Sequence, residues 1–250
     1  MTLVQTENKG FGSYVVILED LIGRSIKDKG FWEITFYHIY SKFIKHTDVI
    51  LDAGANIGFH TVNMARYGNK VYAFEPQFLL CEILKLNTSL HKVEHKVECL
   101  NLGLGDKYCE MKMESLDKFK EPDGVDNFGA RGLVEGTDGE VVTVVPFDSL
   151  DLDVDVIKMD IQGFEIHAIN GMVKTIKRNK PWMMLENYVG MVNDELVVSL
   201  LKNMGYEIYR PRLDQNLPCE DCIVIHSDNK NHEKIKECLT GELNFLYNLI

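Results

Sequence analysis

Apolar residues along this chain alternate between short β-branched runs and stretches of helical spacing, and the alternation becomes regular after residue 48. Val49 to Asp52 reads as a strand, the chain turns through Gly54, and a helical pattern opens near Gly58. Lys70 to Phe74 predicts a second strand, Phe78 to Leu90 a helix, and Val97 to Leu100 a third strand. Residues 107 to 146 break the rhythm. Alternation over Cys109 to Glu114 and the β-branched run Val141 to Val145 predict two strands, separated by a polar, Gly-rich stretch from Pro122 to Gly139. The rhythm returns with a strand over Val154 to Met159, a short helical stretch through Glu165, His167 and Ile169 to Gly171, a basic turn from Lys174 to Lys180, and a strand from Pro181 to Leu185. Asn193 to Met204 reads as a helix with Asp194 and Glu195 in its first turn, where acids suit the dipole. Tyr206 to Tyr209 and Cys222 to His226 predict two last strands, and Glu233 to Ile250 a closing helix. Ahead of this core, Tyr14 to Leu18 predicts a short strand, Gly23 and Lys27 to Gly30 suggest turns, and Phe31 to Ile44 repeats apolar residues at helical spacing. Such alternation predicts an α/β fold: a seven-stranded, mostly parallel sheet with helices on both faces and a strand-loop-strand insertion after strand three.

Composition narrows the picture. At 250 residues, with 45% hydrophobic, the chain can bury one substantial core. One domain over 1–250 is expected, with an N-terminal extension at 1–47, the core at 48–227 and a C-terminal helix at 228–250. No apolar run approaches the roughly 20 residues that span a bilayer. The N-terminus also lacks a basic region leading into an apolar signal segment, so a cytoplasmic protein is expected. The 27 basic residues against 38 acidic give −11, which opposes binding to a phosphate backbone, and no nucleic-acid partner is expected. Cys81, Cys99, Cys109, Cys219, Cys222 and Cys238 are scattered as reduced thiols are. Cys219-x-x-Cys222 lacks the second pair that a zinc site needs. The oligomeric state is not legible.

The stretch from Val49 to Gly58 carries the first chemistry. A dinucleotide fingerprint needs G-x-G-x-x-G, so that pyrophosphate can approach bare backbone at a helix N-terminus. This chain instead places Asp52 two residues before Gly54. A carboxylate there repels phosphates but suits a ligand carrying an ammonium and a sulfonium, which favours S-adenosylmethionine (SAM). The second strand ends in Glu75-Pro76, about 20 residues past the turn, where an acid accepts hydrogen bonds from ribose hydroxyls. The third ends at Asn101 to Asp106, whose backbone can meet the adenine edge. The expected cofactor contacts are Asp52, Gly54, Ala55, Asn56, Gly58, Glu75, Pro76 and Leu102.

Asp-Ala-Gly-Ala-Asn-Ile-Gly at 52 to 58, Val-Tyr-Ala-Phe-Glu-Pro at 71 to 76, Leu86-Asn87, Asn101 to Asp106, and Asp155 to Glu165 stand in one order. Together they resemble the FkbM family of SAM-dependent methyltransferases, from about Asp48 to Asn187. The resemblance implies a class I methyltransferase (Rossmann-like) fold and O-methylation of a hydroxyl, commonly on a sugar or a polyketide-type product. Where that family usually carries Glu before the Gly of the last motif, this chain has Gln162.

Methyl transfer from a sulfonium is an in-line displacement with an activated donor, so the protein supplies alignment and removes the acceptor proton. A sugar hydroxyl is a poor acid and needs a base or a Lewis acid. Asp160, at the end of strand four, and Glu186 with Asn187, at the end of strand five, are the expected catalytic residues. They are also hard oxygen ligands suited to Mg²⁺ or Mn²⁺, an arrangement similar to that of metal-dependent small-molecule O-methyltransferases. Alternatively, Asp160 touches only the cofactor and Glu186-Asn187 closes a strand. His167 is a second base candidate or a surface residue, and Lys158 can pair with a carboxylate. Trp32, Tyr37, His38 and Tyr40 form either the wall of an acceptor pocket or part of the core. The segment Asp126 to Gly132 is either a lid over substrate or a solvated loop. The expectation is a SAM-dependent O-methyltransferase acting on a carbohydrate such as a deoxyhexose, for instance rhamnose. The alternatives are an O-methyltransferase of a non-sugar metabolite and a SAM-binding partner subunit without activity.

Overall fold

The βα alternation after residue 48 becomes a central sheet in the computed structural model, which describes residues 1–7, 10–115, 124–136, 138–186, 192–211, 221–241 and 247–249. Strands β1 (Leu3–Gln5) and β2 (Val15–Ile17) pair antiparallel and lead into helices α1 (Leu21–Lys29) and α2 (Ile34–Phe43). The core then runs through β3 (Val49–Ala53), α3 (Phe59–Tyr67), β4 (Lys70–Phe74), α4 (Phe78–Leu90) and β5 (Val97–Leu100). Strands β6 (Gly103–Leu104), β7 (Cys109–Met113), β8 (Leu133–Val134) and β9 (Val141–Val145) follow. Alternation resumes with β10 (Val156–Met159), α5 (Glu165–Asn170), α6 (Val173–Asn179), β11 (Trp182–Glu186) and α7 (Val192–Asn203). The last elements are β12 (Tyr206–Pro211), β13 (Asp221–His226), α8 (His232–Thr240) and β14 (Tyr247–Leu249).

The main sheet has the order β14-β12-β13-β11-β10-β3-β4-β5. Its strands from β5 to β11 are parallel, and β13, β12 and β14 add antiparallel. Both faces are buried, so successive residues of one strand serve opposite cores. Ile50, Val156 and Met184 pack with α1 to α4, whereas Leu51, Ile157 and Leu185 pack with α5 to α7. From β3 the chain winds outward to β5 and returns to the other side of β3 as β10. That reversal opens a crevice at the carboxyl ends of β3 and β10. Register pairs Lys158 with Asp52 and Met159 with Ala53, which sets Asp160 beside Gly54 on its rim.

Several elements differ from expectation. The main sheet has eight described strands, not seven, because the predicted closing helix stops at Thr240 and Tyr247–Leu249 adds to β12 at the edge. Gly241 breaks the helix, and the aromatic and apolar residues beyond it favour a strand. Two predicted turns are helices. Asp20 caps α1 by accepting from Gly23 N at 3.0 Å, and Gly23 lies inside the helix because a Cβ there would stand 2.1 Å from Ile17 O. The basic segment from Lys174 is part of α6, whose first N–H groups at Lys174 and Thr175 bond the carboxylate of Asp148 at 2.9 and 2.8 Å. That cap comes from a distant part of the chain, so local sequence does not announce it. The insertion is a four-stranded sheet, β6-β9-β7-β8, in which β6 and β8 join the two expected strands.

Candidate active site

The turn after β3 is built by close backbone approach. Gly54 has φ +78°, and a Cβ on it would lie 1.8 Å from the carbonyl oxygen of Asp160, so only glycine lets β3 and β10 meet at the rim. Asn56 follows with φ +51° and turns its N–H toward β4. There Glu75 Oε2 accepts from Asn56 N at 2.8 Å and Oε1 accepts from Gln77 N at 2.9 Å. Glu75 is buried, and burial pushes its carboxyl up to about 7 against the pull of those two N–H groups.

Glu75 stands in the wall of a cavity of about 590 Å³ at the crevice. One part of the wall is apolar, with Phe74, Leu102, Leu104, Met113, Leu133 and Phe164. The polar part holds Gly54, Asn56, Glu75, Asp160 and Gln162. Of the expected cofactor contacts, Gly54, Asn56, Glu75, Pro76 and Leu102 line this space. Ala55 lines a neighbouring cavity, and Gly58, at φ +89°, caps α3. Asp52 lies beneath the turn and lines neither cavity. It is fully buried, accepts from Thr61 Oγ1 at 2.5 Å, and its Oδ1 lies 3.7 Å from Lys158 Nζ.

The two acids at the ends of β10 and β11 do converge, through a residue that sequence reasoning noted only as a departure. Gln162 Nε2 donates to Asp160 Oδ1 and to Glu186 Oε2, each at 2.7 Å. Gln162 holds φ +56°, a conformation strained for a side-chain-bearing residue. On the other side of Asp160, Lys158 Nζ lies 3.5 Å from Oδ2 and donates to Gly54 O at 3.0 Å. Burial opposes the charge on Lys158, but Asp160, Asp52, Glu33 and Glu186 together outweigh it and raise its pKa. Burial likewise opposes the charge on Asp160, and Lys158 with the hydrogen bonds of Glu186 and Gln162 lowers its pKa below the usual range. Asp160 is therefore a firmly ionised acceptor and a weak proton base.

An amide N–H₂ and an ammonium thus occupy the positions beside these carboxylates where a divalent cation would sit, so the donor set does not fit Mg²⁺ or Mn²⁺. Among the described residues no group of three or more His, Cys, Asp or Glu is placed to hold a metal. Asn187, the expected third residue, lies outside the described residues.

A second cavity, about 280 Å³, adjoins the first and shares Gly54, Asn56 and Asp160 with it. Trp32, His60 and Lys158 also line it. Of the four aromatic residues expected at an acceptor wall, Trp32 alone lines this space. Tyr40 is wholly buried, Tyr37 bonds Tyr67 OH at 2.9 Å, and His38 is exposed. His60 was not anticipated. Its Nε2 lies 3.1 Å from Glu33 Oε2 and its Nδ1 3.4 Å from Tyr40 OH. The sequence signal was its place in the first turn of the helix that opens after the glycine turn.

The segment expected as a lid or a solvated loop is a pinned wall. Phe128 is buried in the core, its N–H donates to Asp20 Oδ1 at 3.0 Å, and its carbonyl accepts from Gln77 Nε2 at 2.9 Å. Arg131 reaches Gln77 Oε1 at 2.6 Å and Glu114 O at 2.7 Å, which leaves Gly129 and Arg131 lining the larger cavity. His167 lies half-exposed on α5, stacked on Phe164 and 3.6 Å from Asp106, and lines neither cavity.

Comparison with known proteins bears on the fold and the family. No curated protein has a matching sequence. Among solved structures, the FkbM methyltransferase of Methylobacillus flagellatus KT superposes with a TM-score of 0.54 at 19% identity, covering 78% of this chain and 50% of that one, so the chain spans half that protein's length. A precorrin 8w decarboxylase of Methanobacterium thermoautotrophicum follows at TM-score 0.46 and 14% identity, covering 83% of this chain and 95% of that one. The tRNA m1G37 methyltransferase of M. jannaschii gives 0.47 and 14%, covering 91% of this chain and 58% of that one. The sequence model of the methyltransferase FkbM domain matches residues 52–208, from the acid at the glycine turn into β12, and the chain belongs to the FkbM methyltransferase family.

Proposed function

We propose that this chain transfers the methyl group of SAM to a hydroxyl of a carbohydrate, with the cofactor in the larger cavity and the acceptor in the smaller one. The observation that carries the proposal is the shared wall: Gly54, Asn56 and Asp160 border both spaces, so ligands on the two sides meet there. The residues of the larger cavity fit the cofactor. Each oxygen of Glu75 spends one lone pair on a backbone N–H and keeps another for a ribose hydroxyl, while Leu102, Leu104 and Phe164 suit the adenine. Bound SAM supplies an activated methyl on a sulfonium. The chain's own residues align and exclude water: Asp160, fixed by Gln162 and Lys158, offers a negative charge at the junction, and Glu186 holds Gln162 in place.

Support for a sugar comes from the second cavity, whose lining combines the Trp32 indole with the polar and ionic side chains of His60, Lys158 and Asp160. The net charge of −11 favours a neutral small acceptor over a nucleic acid. The free state of the five described cysteines is in keeping with a cytoplasmic location, and among the described residues no helix is long and apolar enough to cross a membrane. We also read 1–250 as one domain, with residues 1–47 as the acceptor-side extension. Conversion of SAM to S-adenosylhomocysteine, followed over a panel of deoxyhexosides, other glycosides, aliphatic alcohols and phenols, tests this reading. Turnover confined to the non-sugar members would replace it with a non-sugar metabolite methyltransferase. SAM binding without turnover on any member would favour the inactive partner subunit.

A further inference from the structure

Gly129 has no conformational need to be glycine. Gly54, Gly58 and Gly163 hold positive φ, whereas Gly129, in the short 3₁₀ turn Phe128–Ala130, does not. Its reason is packing. A Cβ there would lie 3.0 Å from Ile22 Cδ1 and 3.4 Å from Asn56 Nδ2. Gly129 lines the larger cavity, Ile22 lines the smaller and Asn56 lines both, so this contact belongs to the partition between the two spaces. The backbone beneath Ile22 cannot retreat from it. Helix α1 is pinned against β2, where a Cβ on Gly23 would strike Ile17 O. It is also tied to the segment that carries Gly129: Leu21 N donates to Asp126 O and Asp126 N to Glu19 O, each at 2.9 Å. Asp20 adds to that tie, its Oδ1 accepting from Phe128 N and its Oδ2 from Gly23 N, each at 3.0 Å. Ile22 and Gly129 thus sit on two segments clamped together, and a change of bulk at either is taken up by the end of the Ile22 side chain. Branching at Cβ restricts χ1, which leaves Cδ1 as the part that moves, and the space open to it is the second cavity that Ile22 lines.

We infer that Ile22 and Gly129 are a specificity-determining pair for the transfer: the missing side chain at Gly129 lets Ile22 Cδ1 stand back from the second cavity, and the pair thereby sets how much bulk the carbon bearing the reacting hydroxyl can carry. This inference rests on the function proposed above, which gives the second cavity to the acceptor. The pair carries no charge and moves no proton. Its effect is on which acceptors fit, and therefore on the ratios of kcat/KM between acceptors and not on the rate with the smallest of them.

The test uses the full chain and a series of acceptors of the class the parent turns over, in which the substituent beside the reacting hydroxyl grows from hydrogen to methyl to isopropyl. The quantity read is kcat/KM for the bulkiest member divided by kcat/KM for the smallest. Gly129→Ala should lower this ratio about tenfold, since its methyl group drives Ile22 Cδ1 into the acceptor space. Ile22→Val, a conservative change that removes Cδ1 alone, should raise it by about tenfold, the lower end of the range for one methylene in an apolar pocket. Combining the two should bring the ratio back to within about threefold of the parent, whereas two packing defects without a bearing on the acceptor would slow every member alike. SAM affinity by calorimetry should stay within about threefold of the parent in all three variants. Ratios that hold at the parental value in both single variants, or that move in the same direction, would overturn the inference. So would a Gly129→Ala variant that loses SAM affinity while its ratio stays parental, because Gly129 would then serve the larger cavity alone. A parent that methylates no hydroxyl overturns the function proposed above and this inference with it. A parent that methylates hydroxyls with a ratio blind to both residues overturns this inference alone.

Discussion

The two cavities that meet at Gly54 are made in different ways. The larger is drawn mostly from one continuous βαβ stretch, where Gly54, Asn56, Glu75 and Leu102 lie within about 50 residues and main-chain N–H groups hold the key carboxylate. The smaller joins part of the stretch from Gly54 to His60 to side chains from far apart in sequence, Ile22 and Trp32 from the N-terminal segment and Lys158 and Asp160 at the end of β10. Backbone contacts tie a site to its fold and leave few side chains to vary. Side chains from scattered segments can change one at a time without disturbing the sheet. The larger cavity is therefore fixed more by topology, and the smaller draws more on side chains that can vary independently.

The comparison is broken most severely at the wall that ties the two regions together. Phe128 packs its ring in the core while its backbone joins Asp20 of the N-terminal extension to Gln77 beside Glu75. Phe128→Ala should cost about 3–5 kcal/mol of stability, read by chemical denaturation, and not merely raise an acceptor KM as a mobile lid would. Glu75→Ala separates the regions: SAM affinity should weaken by about 1–3 kcal/mol in calorimetric titration, with acceptor affinity in the second cavity unaltered.

A gentler probe is pH. Burial pushes Glu75 from 4.5 up to about 7, so lowering the pH from 8 to 6 protonates it and weakens it as an acceptor for the ribose proposed to bind there. SAM affinity should fall by up to about tenfold over that window, and Glu75→Gln should flatten the dependence. Folding stability runs the opposite way. A carboxyl whose folded pKa is raised stabilises the fold fully below about 4.5 and loses that contribution as pH rises through about 7, so the ligand-free chain should gain stability from this group toward acid. The smallest effect concerns metal. Because Gln162 and Lys158 already satisfy Asp160, EDTA should leave turnover unchanged, and a loss restored by Mg²⁺ or Mn²⁺ would contradict that reading of the site.

The same contrast decides what could be read from residues alone. Runs such as Val49 to Asp52 and Lys70 to Phe74 announce buried parallel strands because both faces must be largely apolar, and Glu75, just after the second, marks the rim. Helix α6 escaped because its cap, Asp148, comes from before β10, and α1 escaped because Gly23 looks like a turn until Ile17 O is seen against it. Glu33 and His60 escaped for a similar reason. Neither belongs to a local motif, and only the packing of α2 on α3 makes them partners. Asp160 and Glu186 were legible as neighbours, but the residue joining them was an amide where an acid was expected, which changes a metal-like pair of acids into a hydrogen-bonded one.

The wall shared by the two cavities also has a thermodynamic meaning. Gly54, Asn56 and Asp160 border both spaces, and the backbone at Gly54 is packed against Asp160 O too closely for a Cβ, so this wall has little room to yield to one occupant without being felt by the other. Any factor by which an occupant of the smaller space tightens or loosens the occupant of the larger must be returned equally in the opposite direction. Coupling of that kind is symmetric, and its strength is set at the turn through Gly54 that both spaces share.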